Sequence, residues 1–128
     1  MFLSEPVSKH LRSHYDEFKC IKYFIKNLKY LDFDYNKILI RPHPSETVKK
    51  FNKIKKISKK ILISKKNNIF YDIMNSKIIV GINSIALLLG LISNKKVISC
   101  IPGKKICELP HKGIIDFRNF LNEKKRKN

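Results

Sequence analysis

Residues 37–41, 60–64, 77–82 and 96–101 are short apolar runs rich in branched side chains, such as Lys37-Ile38-Leu39-Ile40-Arg41 and Lys77-Ile78-Ile79-Val80-Gly81-Ile82. They are too short for helices, close on polar or proline-containing turns, and predict buried strands. Residues 1–4 predict a short fifth strand. Continuous apolar character without alternation suits a parallel sheet covered on both faces.

Helical periods lie between the runs. Phe18, Ile21, Ile25 and Leu28 recur at spacings of three and four, with Lys19, Lys22, Lys26 and Lys29 on the other side, predicting an amphipathic helix over 8–31. Val48, Phe51, Ile54 and Ile57 repeat every third residue after Ser45, a candidate N-cap, and predict a second helix. A shorter helix is expected around 69–74, an apolar one opened by Ser84 over 85–92, and a last one over 116–121. The alternation of strand and helix without a repeat or linker predicts an α/β domain of three layers around a parallel sheet of about five strands. In such sheets ligands bind beyond the carboxyl ends of the strands, at the topological switch point.

Length and composition refine this picture. The 128 residues suit one domain, and 43% hydrophobic content supplies its core. The domain is expected over 1–121, with 122–128 a disordered basic tail. The 28 basic against 10 acidic residues give a net charge of +18. That balance suggests nucleic acid or a membrane surface, but only four of the cations are arginine, and a joint excess of Lys, Ile and Asn follows as readily from base composition. Cys20, Cys100 and Cys107 are an odd set without metal-site spacing, which disfavours a disulfide scaffold or structural zinc and predicts reduced thiols. The first residues lack a basic region followed by an apolar run. The longest apolar stretch, 85–92, falls far below the ~20 residues a bilayer requires. A soluble, cytoplasmic protein is the expectation.

The predicted strand ends collect Ser4-Glu5-Pro6, Arg41-Pro42-His43-Pro44-Ser45-Glu46, Ser64-Lys65-Lys66, Gly81-Ile82-Asn83-Ser84 and Pro102-Gly103-Lys104-Lys105. His43 is held between two prolines, a rigid mount for an imidazole that can donate to a phosphate oxygen; the alternative is a turn histidine packed on the sheet edge. Asn83-Ser84 stands where a strand turns into an apolar helix, with Gly81 allowing close backbone approach. Free N–H groups there and the Ser84 hydroxyl would suit a phosphate, although either residue can instead cap its own helix. Neither the dinucleotide fingerprint G-x-G-x-x-G nor a P-loop is present.

Phe2-Leu3-Ser4-Glu5-Pro6, Ile38-Leu39-Ile40-Arg41-Pro42-His43-Pro44-Ser45-Glu46 and Ile79-Val80-Gly81-Ile82-Asn83-Ser84-Ile85-Ala86-Leu87-Leu88 resemble the carboxy-terminal, donor-binding domain of bacterial GT-B glycosyltransferases. The similarity is to surface-polysaccharide enzymes with His-Pro and Ser/Thr motifs, of the capsular and sialyltransferase-like kind. It extends from Phe2 to about Leu121, with the two halves of the motif about 40 residues apart. The resemblance implies a Rossmann-like half of a GT-B fold that binds a CMP-, CDP- or UDP-linked sugar without metal or further cofactor. His43 and Pro44 match the motif that engages the nucleotide and donor phosphate, with His43 the catalytic candidate. Ser84, with Asn83 and Gly81, matches the phosphate-holding motif. Ser4, Glu5 and Glu46 would face base or ribose, and Glu46 can alternatively cap the chain at its first helical turn.

GT-B enzymes carry two Rossmann-like domains and take the acceptor site, and often the general base, from the amino-terminal one. The resemblance here begins at the second. No candidate base is visible, because Asp16, Asp32, Asp34, Asp72 and Asp116 fall on predicted helices or remote loops. The chain is therefore expected to need an amino-terminal domain or partner subunit to act as an enzyme; a split subunit, a fragment and a degraded gene product are the alternatives.

Two weaker patterns remain. His10, His14 and Glu17 share a helical face, but lack the zinc-hydrolase spacing and predict a solvated face without metal. From 47 to 71 there are nine lysines and no acid before Asp72. Such a strip suits peripheral contact with anionic lipid at the inner face of the membrane, or non-specific nucleic-acid binding by a non-enzymatic module, or a solvated helix back. Without interleaved aromatics, specific nucleic-acid binding is not expected.

Overall fold

The structure is a computed structural model that describes residues 1–7, 15–31, 35–109 and 111–127. Six parallel strands form one sheet: β1 (Phe2–Leu3), β2 (Ile38–Arg41), β3 (Ile61–Ile63), β4 (Ile78–Gly81), β5 (Lys96–Ser99) and β6 (Ile114–Asp116). Their order is β3-β2-β1-β4-β5-β6, the doubly wound Rossmann-like arrangement, which reverses direction between β1 and β4. The helices are α1 (Glu17–Lys26), α2 (Asn52–Lys55), α3 (Ile69–Met74), α4 (Ala86–Ile92) and α5 (Phe117–Lys127).

Both sheet faces are covered, which explains the uninterrupted apolar runs. Phe2, Ile40, Val80 and Ile98 pack with Cys20, Ile21 and Phe24 of α1 and Phe117 of α5. Their neighbours Leu3, Ile79 and Val97 point the other way and pack with Ile73 of α3 and Leu87 of α4. The alternation of adjacent residues between two clusters is the period-two geometry of strands buried on both sides.

Several elements differ from the sequence expectation. Of the helix expected over 8–31, α1 spans Glu17–Lys26, and it opens at Glu17 because Asp16 is extended (φ −128°, ψ 174°) and its carboxylate accepts the Lys19 N–H at 2.7 Å as an N-cap. Residues 8–14 lie outside the described residues. Ser45 caps nothing: after it comes a 3₁₀ turn, Val48–Phe51, and only then the short α2. A three-residue apolar repeat is compatible with a 3₁₀ turn as well as with the i, i+3 spacing of an α-helix. Phe51 and Ile54 are fully buried, while Val48 and Ile57 are 37% and 49% exposed.

The sixth strand was not expected. Ile114 and Ile115 pair with Val97 and Ile98, and Asp116, expected to begin the last helix, pairs with Ser99. The Asp116 carboxylate then accepts the Arg118 N–H at 2.9 Å and so opens α5. That helix continues through 122–127, expected as a disordered tail; Lys124 lies over the Phe120 ring and Lys125 over Tyr30. Among the described residues, no helix is long and apolar enough to cross a membrane.

Candidate functional site

The site is built from the carboxyl edge of β2, β1 and β4, on either side of the reversal in strand order. The Ser4 N–H bonds to the Arg41 carbonyl at 2.9 Å, which carries β1 one step past its last ladder residue. The Ser4 hydroxyl turns toward Glu46 (3.4 Å), and Glu5 accepts the Asn83 N–H at 2.5 Å. Ser4, Glu5, Glu46 and Asn83, distant in sequence, thus lie on one strip.

His43 and Glu46 close their turn reciprocally. The His43 N–H donates to Glu46 Oε1 (2.9 Å), and the Glu46 N–H donates to the His43 carbonyl (2.8 Å). Imidazole Nδ1 accepts the Ser45 N–H at 3.1 Å and lies 2.8 Å from the Ser45 hydroxyl. A nitrogen accepting an N–H cannot itself carry a proton, so the neutral ring holds its proton on Nε2. His43 is half-buried, and Pro44 and Ser45 are exposed around it.

The Glu46 side chain faces inward. It is 1% exposed, and its second oxygen pairs with Lys50 Nζ at 2.6 Å. Lys50 also pairs with Glu17 of α1, which is 0% exposed. Burial works against the Lys50 charge, but the hydrogen bonds that its ammonium donates to Glu17 and Glu46 outweigh it and raise its pKa above the ordinary lysine value. Glu46 therefore plays the capping part foreseen as its alternative, and Glu17 is a buried ion-pair partner rather than part of a solvated face. His10 and His14, its companions in that pattern, lie outside the described residues.

At the β4 end two of the donors expected to be free are engaged within the protein. The Asn83 N–H meets the Glu5 carboxylate, and the Ala86 N–H meets the Ser84 hydroxyl at 3.2 Å. Asn83 Oδ1 accepts the Glu108 N–H at 2.8 Å and the Cys107 thiol at 3.3 Å, tying the β5–β6 connection to the edge. The anion at this strand end is thus the protein's own. A Cβ at Gly81 would lie 2.6 Å from Leu87 Cδ2, so a side chain there would force the buried Leu87 to move.

Asp72, expected remote, also reaches the edge. It pairs with Arg41 Nη1 at 2.7 Å and accepts the Ser64 hydroxyl at 2.5 Å, joining the ends of β2 and β3. Arg41 further donates to the carbonyls of Lys66 (2.8 Å) and Asn67 (3.2 Å). Asp16 and Asp116 serve as helix caps, and Asp32 and Asp34 lie outside the described residues. Sequence reasoning missed the structural parts of Lys50, Glu17 and Asp72. The four-residue spacing of Glu46 and Lys50 was the available signal.

Cys20 and Cys100 are buried against one another's segments; burial pushes the Cys20 thiol up to about 12 and raises that of Cys100 further. Of the nine lysines over 49–66, all but Lys50 are exposed, and several flank β3, the edge strand. Lysines beside an edge strand deter pairing with another chain.

A cavity of about 740 Å³ lies at the β5 end, between Tyr15, Lys19 and Lys22 of the α1 segment and the loop at 102–105. Another of about 780 Å³ includes Leu39, Leu62, Tyr71 and Asp72 in its lining. Comparisons with protein-family models, curated proteins and solved structures found no match to this chain.

Proposed function

We propose that this chain is the donor-binding half of a GT-B-type glycosyltransferase of surface-polysaccharide synthesis, taking a CMP-, CDP- or UDP-linked sugar. The observation that carries the reading is the order β3-β2-β1-β4-β5-β6, which reverses at β1/β4 where doubly wound sheets bind nucleotides, with His43 on the turn after β2, one strand from that reversal. In this reading the Nε2 proton of His43 donates to a donor phosphate oxygen and stabilises the charge that builds on the leaving diphosphate or monophosphate. Ser84 lends its hydroxyl from the β4 side. Glu5 yields the Asn83 N–H to the incoming phosphate or stays to receive a ribose hydroxyl. The acceptor and a general base come from an amino-terminal domain or partner subunit.

Thermal melting with millimolar CMP, CDP or UDP tests the reading. It requires a rise in melting temperature with at least one nucleotide and its loss in His43→Ala. An unchanged melting temperature with all three, or equal protection of His43→Ala, refutes it. Glu5→Gln separates the two parts offered for Glu5: tighter nucleotide binding means that the carboxylate competes with phosphate, and weaker binding means that it holds the ribose.

A further inference from the structure

The cavity at the β5 end has a lining unlike the His43 strip. Lys19 and Lys22, three apart on α1, form one wall together with Tyr15, which stands just before the helix cap. Pro102, Gly103, Lys104 and Lys105 form the opposing wall. Four of these seven residues are lysines and none is acidic, whereas 24 of the chain's 128 residues are lysine. No ion pair among the described residues uses Lys19, Lys22, Lys104 or Lys105.

The loop wall is held from behind. Arg118 donates to the carbonyls of Gly103 and Lys105 and is itself held by Asp116 at 3.0 Å. Gly103 adopts φ +81°, and a Cβ there would meet nothing within 4 Å, so the turn leaves open space beside the lysines. Tyr15 borders the cavity, and burial together with the nearby Cys20, Glu5, Glu108 and Cys107 raises its pKa, which keeps the phenol a neutral donor.

We infer that this cleft is a binding site for a soluble oligophosphate, gripped between Lys19 and Lys22 on one wall and Lys104 and Lys105 on the other. Each unpaired ammonium acts as a point charge toward phosphate oxygens. Four ammonium groups spread over two walls of a cleft of about 740 Å³ match the charge and extent of linked phosphates better than those of a single one. The volume falls within the ~300–1,000 Å³ of small-molecule sites, and a concave shape suits a soluble ligand rather than a bilayer surface. The inference goes beyond the nucleotide reading and does not depend on it.

The test is calorimetric titration of the full chain with inorganic pyrophosphate and tripolyphosphate at fixed ionic strength. Lys19→Gln/Lys22→Gln and Lys104→Gln/Lys105→Gln are expected to weaken binding about tenfold each, equivalent to about 1.4 kcal/mol. Lys53→Gln/Lys56→Gln, which removes the same charge from exposed positions elsewhere, is expected to leave it within about twofold. Circular dichroism verifies that each variant folds. No binding by the wild-type chain, equal loss in the Lys53/Lys56 variant, or equal affinity for sulfate overturns the inference. His43→Ala separates the two proposals: pyrophosphate binding should persist there even if nucleotide binding never occurs.

Discussion

Removing the amine of Lys50 should cost more than any other single exposed or half-exposed charge at the site. Lys50 Nζ lies between the carboxylates of Glu17 and Glu46, whose side chains are 0% and 1% exposed, and over the rings of Phe18 and Phe51 at 5.7 and 5.8 Å. Lys50→Met keeps the apolar stem and deletes the cation, removing from two buried carboxylates the ammonium that they share. Breaking a buried pair costs about 3–5 kcal/mol; because the Lys50 side chain is 24% exposed, water recovers part of this and the low end, about 3 kcal/mol, is expected. For a domain of this size that lowers the melting temperature by about 10 °C.

Urea denaturation at pH 7 gives the loss directly. The pH dependence identifies its source. In the wild type the Lys50 pKa is raised by folding, so the stability it contributes is fully present below the ordinary lysine pKa of about 10.4 and is lost as pH rises through the folded value. At pH 7 the whole contribution is therefore at stake. Above the ordinary lysine value the deficit of Lys50→Met should shrink, because the wild-type ammonium that it lacks is itself being lost. Lys50→Met/Glu17→Gln should recover part of the loss at pH 7 by removing one buried charge. A deficit below about 0.5 kcal/mol at pH 7, or one that does not shrink as pH rises past the ordinary lysine value, would refute the reasoning and place the network in the class of weak surface pairs.

Two further outcomes follow from packing. Gly81→Ala should destabilise by about 1–3 kcal/mol, because its methyl would lie 2.6 Å from Leu87 Cδ2, and adding Leu87→Ala should relieve that clash while costing the Leu87 packing itself; urea titration of the single and double variants checks both. Thiol labelling of the native protein at pH 8 should modify one cysteine quickly, Cys107, while Cys20 and Cys100 react only on unfolding; mass spectrometry of labelled peptides identifies them, and rapid labelling of Cys20 would contradict its burial and its pKa of about 12.

Strands β1 to β5 were legible because burial on both faces leaves a continuous branched apolar run that few other environments produce. The sixth was hidden: Ile114-Ile115-Asp116 is too short to stand out, and Asp116 serves both as the last strand residue and as the cap of α5. The second helix was overextended because a three-residue apolar repeat is shared by 3₁₀ turns and α-helices, and only burial tells which residues turn inward. At the site, residue types at strand ends were readable, but their mutual bonding was not. Glu5 and Glu46 read as ligand-facing groups, yet they satisfy the N–H groups of Asn83 and His43. Glu17 read as part of a polar helix face, because the lysine that allows its burial comes from Lys50, 33 positions later. Long-range ion pairing of this kind leaves no local periodicity.

The central claim is that a nucleotide phosphate meets the Nε2 proton of His43 at the β1/β4 reversal. The most direct measurement is the nitrogen chemical shift of the His43 ring by NMR during titration with CMP, CDP and UDP, assigned with His43→Ala. Binding at this edge predicts saturable shifts of the His43 Nε2 resonance with at least one nucleotide, accompanied by changes at Ser84. A His43 ring that stays unshifted through millimolar concentrations of all three would contradict the claim.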